Sequence, residues 1–354
     1  RNGSKKLRLA AIGVLDRLGR MEGLPVLLDA AAYEEADLGN AALSALARLP
    51  GSGVDADLLA RLPQSTGEMR RVLIELSGQR RIEAAISTLL LCAEEPAPGI
   101  RSAAVQALGV LGNDKQTADL VRLLLKAQSS KDREDLETAL IAIVGRSGTN
   151  CVPHLLPLAQ SEDAALRTIA LHALAGAGGP VALEAVKAAV EDKDESVQDE
   201  AARTLSTWPN NWPEDSAVAE PLLALAKTGK KTSHQMLALR GYLQYLKGDK
   251  QLKDDEKVAK VKELLPLVQR PEEKRLVIAA LEPIPTAAVL EMMIGFTGET
   301  DLVEDASSAL LQLADKGKDG LTNALRQKAL QTVVAKTKNE ETKKKAEKIL
   351  KGIQ

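Results

Sequence analysis

A thirteen-residue pattern of apolar and polar positions recurs along the chain. In its clearest copy, "IRSAAVQALGVLG" at 100–112, apolar residues occupy positions 1, 5, 8, 9 and 12, and a glycine ends the stretch. Positions 1, 5, 8 and 12 fall on one narrow arc of an α-helix, so they predict the side that packs. Related copies are "LRLAAIGVLDRLG" at 7–19, "LGNAALSALARLP" at 38–50, "LRTIALHALAGAG" at 166–178, "VQDEAARTLSTWP" at 197–209 and "LVEDASSALLQLA" at 302–314.

The spacing of these copies indicates a repeat. Copies start at 7, 38, 69 (degenerate), 100, 132 (weak), 166 and 197, so the basic period is 31 residues. A second apolar stretch lies between copies, for example "TADLVRLLLKA" at 117–127, and Gly- and Pro-rich turns such as "EEPAPG" separate the two stretches. Each repeat is therefore predicted to be a pair of helices. A pair of this size cannot bury its apolar face alone, so the pairs must stack.

Small residues at positions 5 and 8 of the pattern point to close packing between helices. Alanine lets neighbouring helices approach, while leucine at positions 9 and 12 fills the remaining space. The alanines expected to lie in this interface are Ala11, Ala42, Ala45, Ala104, Ala107, Ala170, Ala173, Ala201, Ala306 and Ala309.

A two-helix unit of this length, with small residues at the helix contacts, resembles the HEAT repeat. Arg8, Arg101 and Arg167 stand at position 2 of their copies, and acids such as Glu95 and Asp163 stand in the preceding turns, similar to the Asp/Arg ladder of that family. Gly39, Gln198 and Val303 depart from the ladder. The resemblance implies an all-α, right-handed superhelical solenoid of stacked two-helix HEAT-like repeats.

The second half of the chain carries a narrower resemblance. "STWPNNWPED", "HQMLALRGYLQYL" and "PEEKRLVIAALEPIPT" are similar to HEAT modules of large exported bacterial proteins, where such modules often join cytochrome c-like or sugar-hydrolase-like domains. We therefore expect one HEAT-like solenoid over 1–354, with a bend near 207–216 between a regular first half and a less regular second half. The resemblance implies part of a longer, extracytoplasmic chain, with a cytoplasmic protein as the alternative.

Composition narrows the possible partners. Aromatic residues make up only 2% of the chain, and the apolar residues are mostly helix formers. A net charge of -2 gives no general attraction to nucleic acid, so we expect none to bind. No apolar run approaches the ~20 residues of a membrane-spanning helix. Cys92 and Cys151 are the only cysteines, and both are expected in the core.

Convergent catalytic groups are not evident in the sequence. The three histidines, His154, His172 and His234, fall in different repeats, and no zinc-protease, nucleophile-elbow or phosphate-loop motif is present. His172 is expected on the surface, and His154 and His234 near helix starts, as caps or in solvent. We predict no catalytic residue, metal site or cofactor. The alternatives from this class are a HEAT-like DNA glycosylase and a bilin lyase.

Positions 3, 7 and 10 of the pattern point away from the packing arc and are the candidate binding surface. The predicted function is a non-catalytic scaffold that presents this curved surface to a protein partner or to other domains of its parent chain. A carbohydrate- or small-anion-binding module, using Trp212 and a row of arginines, is the alternative. Those arginines would instead be structural if they paired with turn acids such as Asp199 and Glu273. The candidate binding residues are Ser102, Gln106, Thr168, His172, Asp199, Arg203, Arg240, Arg275 and Trp212.

Overall fold

The computed structural model describes residues 4–33, 35–316 and 321–353. Every regular element within these ranges is a helix, which confirms the all-α prediction. None of the helices in the described ranges is both long and apolar enough to cross a membrane. The chain divides into two compact units, Arg1–Ala185 and Val186–Gln354. The single solenoid with a bend near 207–216 stays a prediction.

The first unit is a series of helix pairs. Helices with odd numbers carry the thirteen-residue pattern and are called motif helices below; the even-numbered ones are the intervening helices. The unit contains α1 (Lys5–Leu18), α2 (Leu24–Tyr33), α3 (Ala36–Arg48), α4 (Ser52–Arg61), α5 (Gly67–Gln79), α6 (Ile86–Cys92), α7 (Pro98–Leu111), α8 (Asp114–Lys126), α9 (Ser130–Ser147), α10 (Val152–Ala159) and α11 (Ala164–Ala177).

The second unit continues the same alternation. Helix α12 (Pro180–Ala189) contains the division between the units. It is followed by α13 (Glu195–Asn211), α14 (Ala219–Thr228), α15 (Thr232–Gly248), α16 (Asp254–Leu264), α17 (Pro271–Leu281), α18 (Ala287–Phe296), α19 (Val303–Lys316), α20 (Asn323–Lys336) and α21 (Glu340–Lys351). Short 3-10 turns along the chain are Met21–Gly23, Leu62–Gln64, Glu83–Ala85, Gly148–Cys151, Ser216–Val218, Leu265–Leu267 and Thr300–Leu302.

The packing arc predicted from the pattern forms the core. Ala104 and Ala173 are fully buried, as are most of the alanines expected at the helix contacts. Ala11 is the exception, because it lies exposed on α1. Both cysteines are buried and unpaired, which confirms them as core residues.

Motif helices approach each other closely through position 10 of the pattern. A Cβ added to Gly109 would lie 3.0 Å from the Cα of Ala139 on the next motif helix, and one added to Gly78 would lie 3.2 Å from the Cα of Ala107. Ser206, at the same position of α13, is buried. The expectation that position 10 points outward is therefore wrong at Gly109 and Ser206. At Gly78 and Gly109 this position lies where consecutive motif helices touch, and it takes a small residue because the backbones are close.

Candidate functional site

The outward face of the first unit contains four of the predicted binding residues. Gln106 is exposed on α7, and its Nε2 donates a 3.3 Å hydrogen bond to the Oγ of half-buried Ser102. On α11, Thr168 and His172 are half-buried. The Nδ1 of His172 lies 2.6 Å from the Oε1 of Glu137 on α9. These side chains share a surface on the motif helices, and Glu137 is a member that the sequence did not suggest.

Arg101 illustrates how the repeats of this unit are joined. Its Nε and Nη2 lie 3.2 and 3.0 Å from the two carboxylate oxygens of Asp132, in the next repeat. Its Nη1 donates to the carbonyl oxygens of Glu95 and Pro96, at 3.0 and 2.7 Å. The hydrogen bond from Arg101 holds the pKa of the Asp132 carboxyl below its usual value. One guanidinium thus caps its own turn and reaches an acid of the following repeat.

The same arrangement recurs at other junctions. Arg70 lies 2.6 Å from Glu95, and Arg133 lies 2.8 Å from Asp163, measured between guanidinium nitrogen and carboxylate oxygen. Both arginines stand at position 2 of degenerate copies of the pattern. Arg167 is buried and donates to turn carbonyls. The ladder therefore includes Arg70 and Arg133, which the sequence analysis missed although their position marked them.

A second set of arginines reaches backwards along the chain. Arg80, at the end of α5, donates a 2.8 Å hydrogen bond to the carbonyl oxygen of Leu46 on α3. Arg146, near the end of α9, donates to the carbonyl oxygens of Gly109 and Gly112 at 2.6 and 2.8 Å. The last carbonyls of a helix have no partner within it. Each arginine donates to carbonyls at this end of the preceding motif helix, and at Leu46 it adds to the 3.3 Å hydrogen bond from the Leu49 N–H.

In the second unit, glutamine stands where the ladder has arginine. Gln198 Nε2 donates to the carbonyl oxygen of Asp192 at 2.6 Å, and Gln235 Nε2 donates to that of Gly229 at 2.9 Å. Glutamine thus retains the bond to the turn. The neutral and shorter side chain provides no charged link to an acid of the next repeat.

Asp199, predicted as an outward binding residue, joins two helices instead. Its Oδ1 lies 2.8 Å from the Nζ of Lys231 and 2.7 Å from the Nε2 of His234, so it connects α13 with the start of α15. The hydrogen bonds from Lys231 and then His234 hold the pKa of Asp199 below its usual value. His234 is buried, at 4% exposure, rather than in solvent. The Asp199 side chain is 44% exposed, so this acid joins two helices while remaining in contact with solvent.

The three arginines of the predicted row differ in their partners. Arg203, on α13, is exposed and lies 3.2 Å from Glu200. Arg275, on α17, lies 2.9 Å from Asp305 and donates to a backbone carbonyl. Arg240 is exposed on α15, and its side chain makes no hydrogen bond or ion pair with any residue in the described ranges. Only Arg240 therefore keeps its whole guanidinium available for a partner.

Neither of the acids expected to neutralise the row does so. Asp199 is held by Lys231 and His234, as described above. Glu273 is buried, and its Oε2 accepts hydrogen bonds from the backbone N–H groups of Gln269 and Arg270 at 2.8 and 3.0 Å. It caps the start of α17, which satisfies otherwise unpaired donors.

The two tryptophans play different parts. Trp208 is fully buried, as predicted, and its Nε1 donates a 2.9 Å hydrogen bond to Asp215. Trp212 is half-buried at the end of α13. Trp208 therefore cannot stack on a sugar ring, because it is not exposed. Trp212 exposes only part of its ring for such a contact.

Across residues 4–33, 35–316 and 321–353, no group of three or more acidic, histidine or cysteine side chains is arranged to hold a metal ion.

Comparison with solved structures shows the fold. Kap121p bound to Nup53p matches with a TM-score of 0.61 at 13% identity, over 98% of this chain and 44% of that one. Kap121p bound to the SUMO protease Ulp1p matches at 0.59 and 12%, over 98% and 43%. Kap95p, in a structure with RanGDP, matches at 0.55 and 12%, over 89% and 51%. The chain thus spans about half the length, or less, of these structures, and at this identity only the fold is shared.

Other comparisons add less. The CpcE and CpcF complex of phycocyanin lyase from Nostoc sp. PCC7120 matches at 19% identity over 52% of the chain, and its TM-score of 0.28 supports no argument. No curated protein matches the chain. The family model for HEAT repeats matches residues 56–141 and 152–240. Together with the stacked helix pairs and the arginine ladder, this match shows that the chain contains HEAT repeats.

Proposed function

We propose that this protein is a non-catalytic scaffold that binds a protein partner, or another domain of its parent chain, through the outward face of its motif helices. The observation that carries the proposal is a strip on α15. Arg240, Gln244 and Lys247 are exposed there, and their spacing of four and three residues places them on one face. None of the three side chains makes a hydrogen bond or ion pair with another described residue.

The strip favours a protein surface over a small ligand. Small-molecule sites are usually concave and bury most of their ligand, whereas three long side chains in a row along one helix offer an extended contact. Arginine is enriched at protein interfaces, where its fixed guanidinium geometry suits carboxylates. The partner segment is therefore expected to be acidic. Structures of the same fold, such as Kap121p with Nup53p, contain bound proteins, which supports the proposal by analogy of fold.

Site-specific photo-crosslinking tests this surface. A photoreactive residue at position 244 should crosslink a defined partner from extracts of the native source, while the same residue at position 259, exposed on the intervening helix α16, should not. Equal crosslinking at both positions would contradict the proposal.

Mutation then tests the chemistry of the strip. Arg240→Ala combined with Lys247→Ala should weaken the captured partner at least tenfold, because two charge-assisted contacts are lost. Lys262→Ala on α16 is the matched control, since Lys262 is also exposed and has no partner in the described structure. The melting temperature should stay near that of the wild type in both variants, because exposed side chains without partners contribute little to stability.

A further inference from the structure

A pocket of about 340 Å³ opens between two consecutive repeats of the first unit. Motif helices α7 and α9 form its sides, and the ends of α6 and α8 complete it. Val105, Leu123 and Leu136 supply apolar walls. Asp135, in the second turn of α9, is also part of the lining.

Asp135 is the unusual member of this pocket. It is only 7% exposed, yet its Oδ2 has no hydrogen-bond partner among the residues that the structure describes. Its Oδ1 lies 2.9 Å from the Nζ of Lys131, whose side chain is 67% exposed. A buried acceptor without a partner is costly, and such groups usually have a ligand, ion or water that satisfies them.

Most of the other charges around the pocket already have partners. Arg101 is committed to Asp132 through two hydrogen bonds, and Glu94 lies 2.6 Å from Arg122. Arg101 also donates to turn carbonyls. Lys126, the other cation in the lining, is exposed and makes no hydrogen bond to the second oxygen of Asp135.

We propose that this pocket binds the side chain of a lysine from the protein partner, with its ammonium group at Asp135. A carboxylate only accepts hydrogen bonds, so the ligand must donate. The four-carbon stem of lysine suits the walls formed by Val105, Leu123 and Leu136. Lys131 already places an ammonium on the first oxygen of this carboxylate, and its exposure lets it move aside at little cost.

The second unit contains a natural contrast. A pocket of about 220 Å³ lies in the corresponding place between α15 and α17, and Glu273 lines it. Glu273 is also 7% exposed, but its Oε2 accepts two backbone N–H groups. Its carboxylate is used by its own helix, so this pocket is not expected to take a lysine.

This inference rests on the proposed function for the identity of the ligand as part of a protein, but it can be tested separately. The probe is a capped tripeptide with lysine between two glycines, compared with the same peptide carrying norleucine, which keeps the stem and lacks the ammonium. Amide chemical shifts of the labelled full chain report binding. The lysine peptide should shift Ser102, Val105 and Leu136, while residues around Glu273 stay unchanged.

Asp135→Asn is the decisive variant, because it preserves shape and removes the charge. It should bind the lysine peptide about tenfold or more weakly, as expected for loss of a hydrogen bond between charged groups. Glu134→Gln, an exposed acid on the same helix that also lies near Lys131, should bind like the wild type. Equal shifts with lysine and norleucine in the wild-type chain would overturn the proposal, whatever the stability of the variant. Crosslinking at position 244 does not depend on this pocket, so the two proposals fail independently.

Discussion

The junctions between repeats are built differently in the two units. In the first unit, Arg70, Arg101 and Arg133 cap the turn before their own helix and bind an acid of the next repeat. In the second unit, Gln198 and Gln235 keep the hydrogen bond to the turn and make no charged link to an acid of the next repeat. The difference shows that capping a turn and linking two repeats are separable roles, although one arginine performs both.

The second unit links its repeats with other residues. Asp199 on α13 meets Lys231 and His234 at the start of α15, and Lys274 lies 2.6 Å from Glu299. Asp199 stands at position 3 of its copy, whereas Lys274 follows buried Glu273 and stands at position 2 of α17. The charged link from position 2 is therefore absent at Gln198 and Gln235 and present at Lys274, so the repeats remain joined while the ladder residue changes.

The largest expected effect is the loss of a whole ladder residue. Arg101→Ala removes the bonds to Asp132 and to two carbonyl groups, so it should lower the free energy of unfolding by about 2 to 3 kcal/mol. Gln235→Ala removes one neutral hydrogen bond and should cost about 1 kcal/mol. Urea denaturation of both variants measures the difference. Equal losses would show that the charged link contributes nothing.

Packing should respond alike in both units, since the alanine contacts are the same. Ala104→Leu in α7 and Ala201→Leu in α13 add three carbons at fully buried positions, which typically costs about 1 to 3 kcal/mol. Ala118→Leu, at an exposed position of α8, is the control and should change little. Urea midpoints equal to the wild type in the two buried variants would mean that these positions do not form the helix interface.

Exchanging the ladder residue sharpens the comparison. Arg101→Gln should keep a turn contact and lose the link to Asp132, so it should cost about 1 kcal/mol, less than Arg101→Ala. The reverse change, Gln235→Arg, should give no gain, because Glu273, the acid that lines the adjoining pocket, already accepts two backbone N–H groups, and Arg270 also lines that pocket. Thermal unfolding of the pair checks both expectations, and a clear stabilisation by Gln235→Arg would refute the second.

The smallest effect is the pH dependence of the Arg101 link. The folded-state pKa of Asp132 lies below its ordinary 3.8, so the link stabilises the fold above pH 3.8 and loses its effect as the pH falls through the folded pKa. The difference in unfolding free energy between wild type and Arg101→Gln should therefore stay constant near neutral pH and shrink below 3.8. A difference that stays constant at lower pH would assign the effect of Arg101 to its carbonyl contacts.

Local pattern was enough to predict the helix pairs and the buried alanines. The 3.6-residue turn fixes which positions share a face, so Ala104 and Ala173 follow from spacing alone. The same reasoning failed at position 10, because Gly109 faces a helix more than 25 residues away in sequence, and only the distance between backbones decides its environment. Ala11 failed for a related reason, since it lies on α1, where the pattern is present but the residue is exposed.

Long-range polar contacts were the harder part of the site. Arg70 and Arg133 stand at position 2 of their copies, so the sequence was sufficient to predict that they belong to the ladder. No sequence feature identified Arg80 and Arg146 in the same way. They bind backbone carbonyl groups of a preceding helix, and every residue type has such a group, so the sequence gives no signal for the contact. The sequence alone could not identify the partners of Arg203 and Arg275 either. Several acids lie near each arginine in sequence or in the next repeat, and only the folded geometry shows that Glu200 and Asp305 make the contacts.

The backward-reaching arginines also bear on how the first unit forms during synthesis. The chain leaves the ribosome from its N-terminus, so α3 emerges before Arg80, and α7 emerges before Arg146. Until then the carbonyl groups of Leu46, Gly109 and Gly112 lack the guanidinium donor that they have in the complete unit. The C-terminal ends of these two helices are therefore completed only by the repeat that follows each of them.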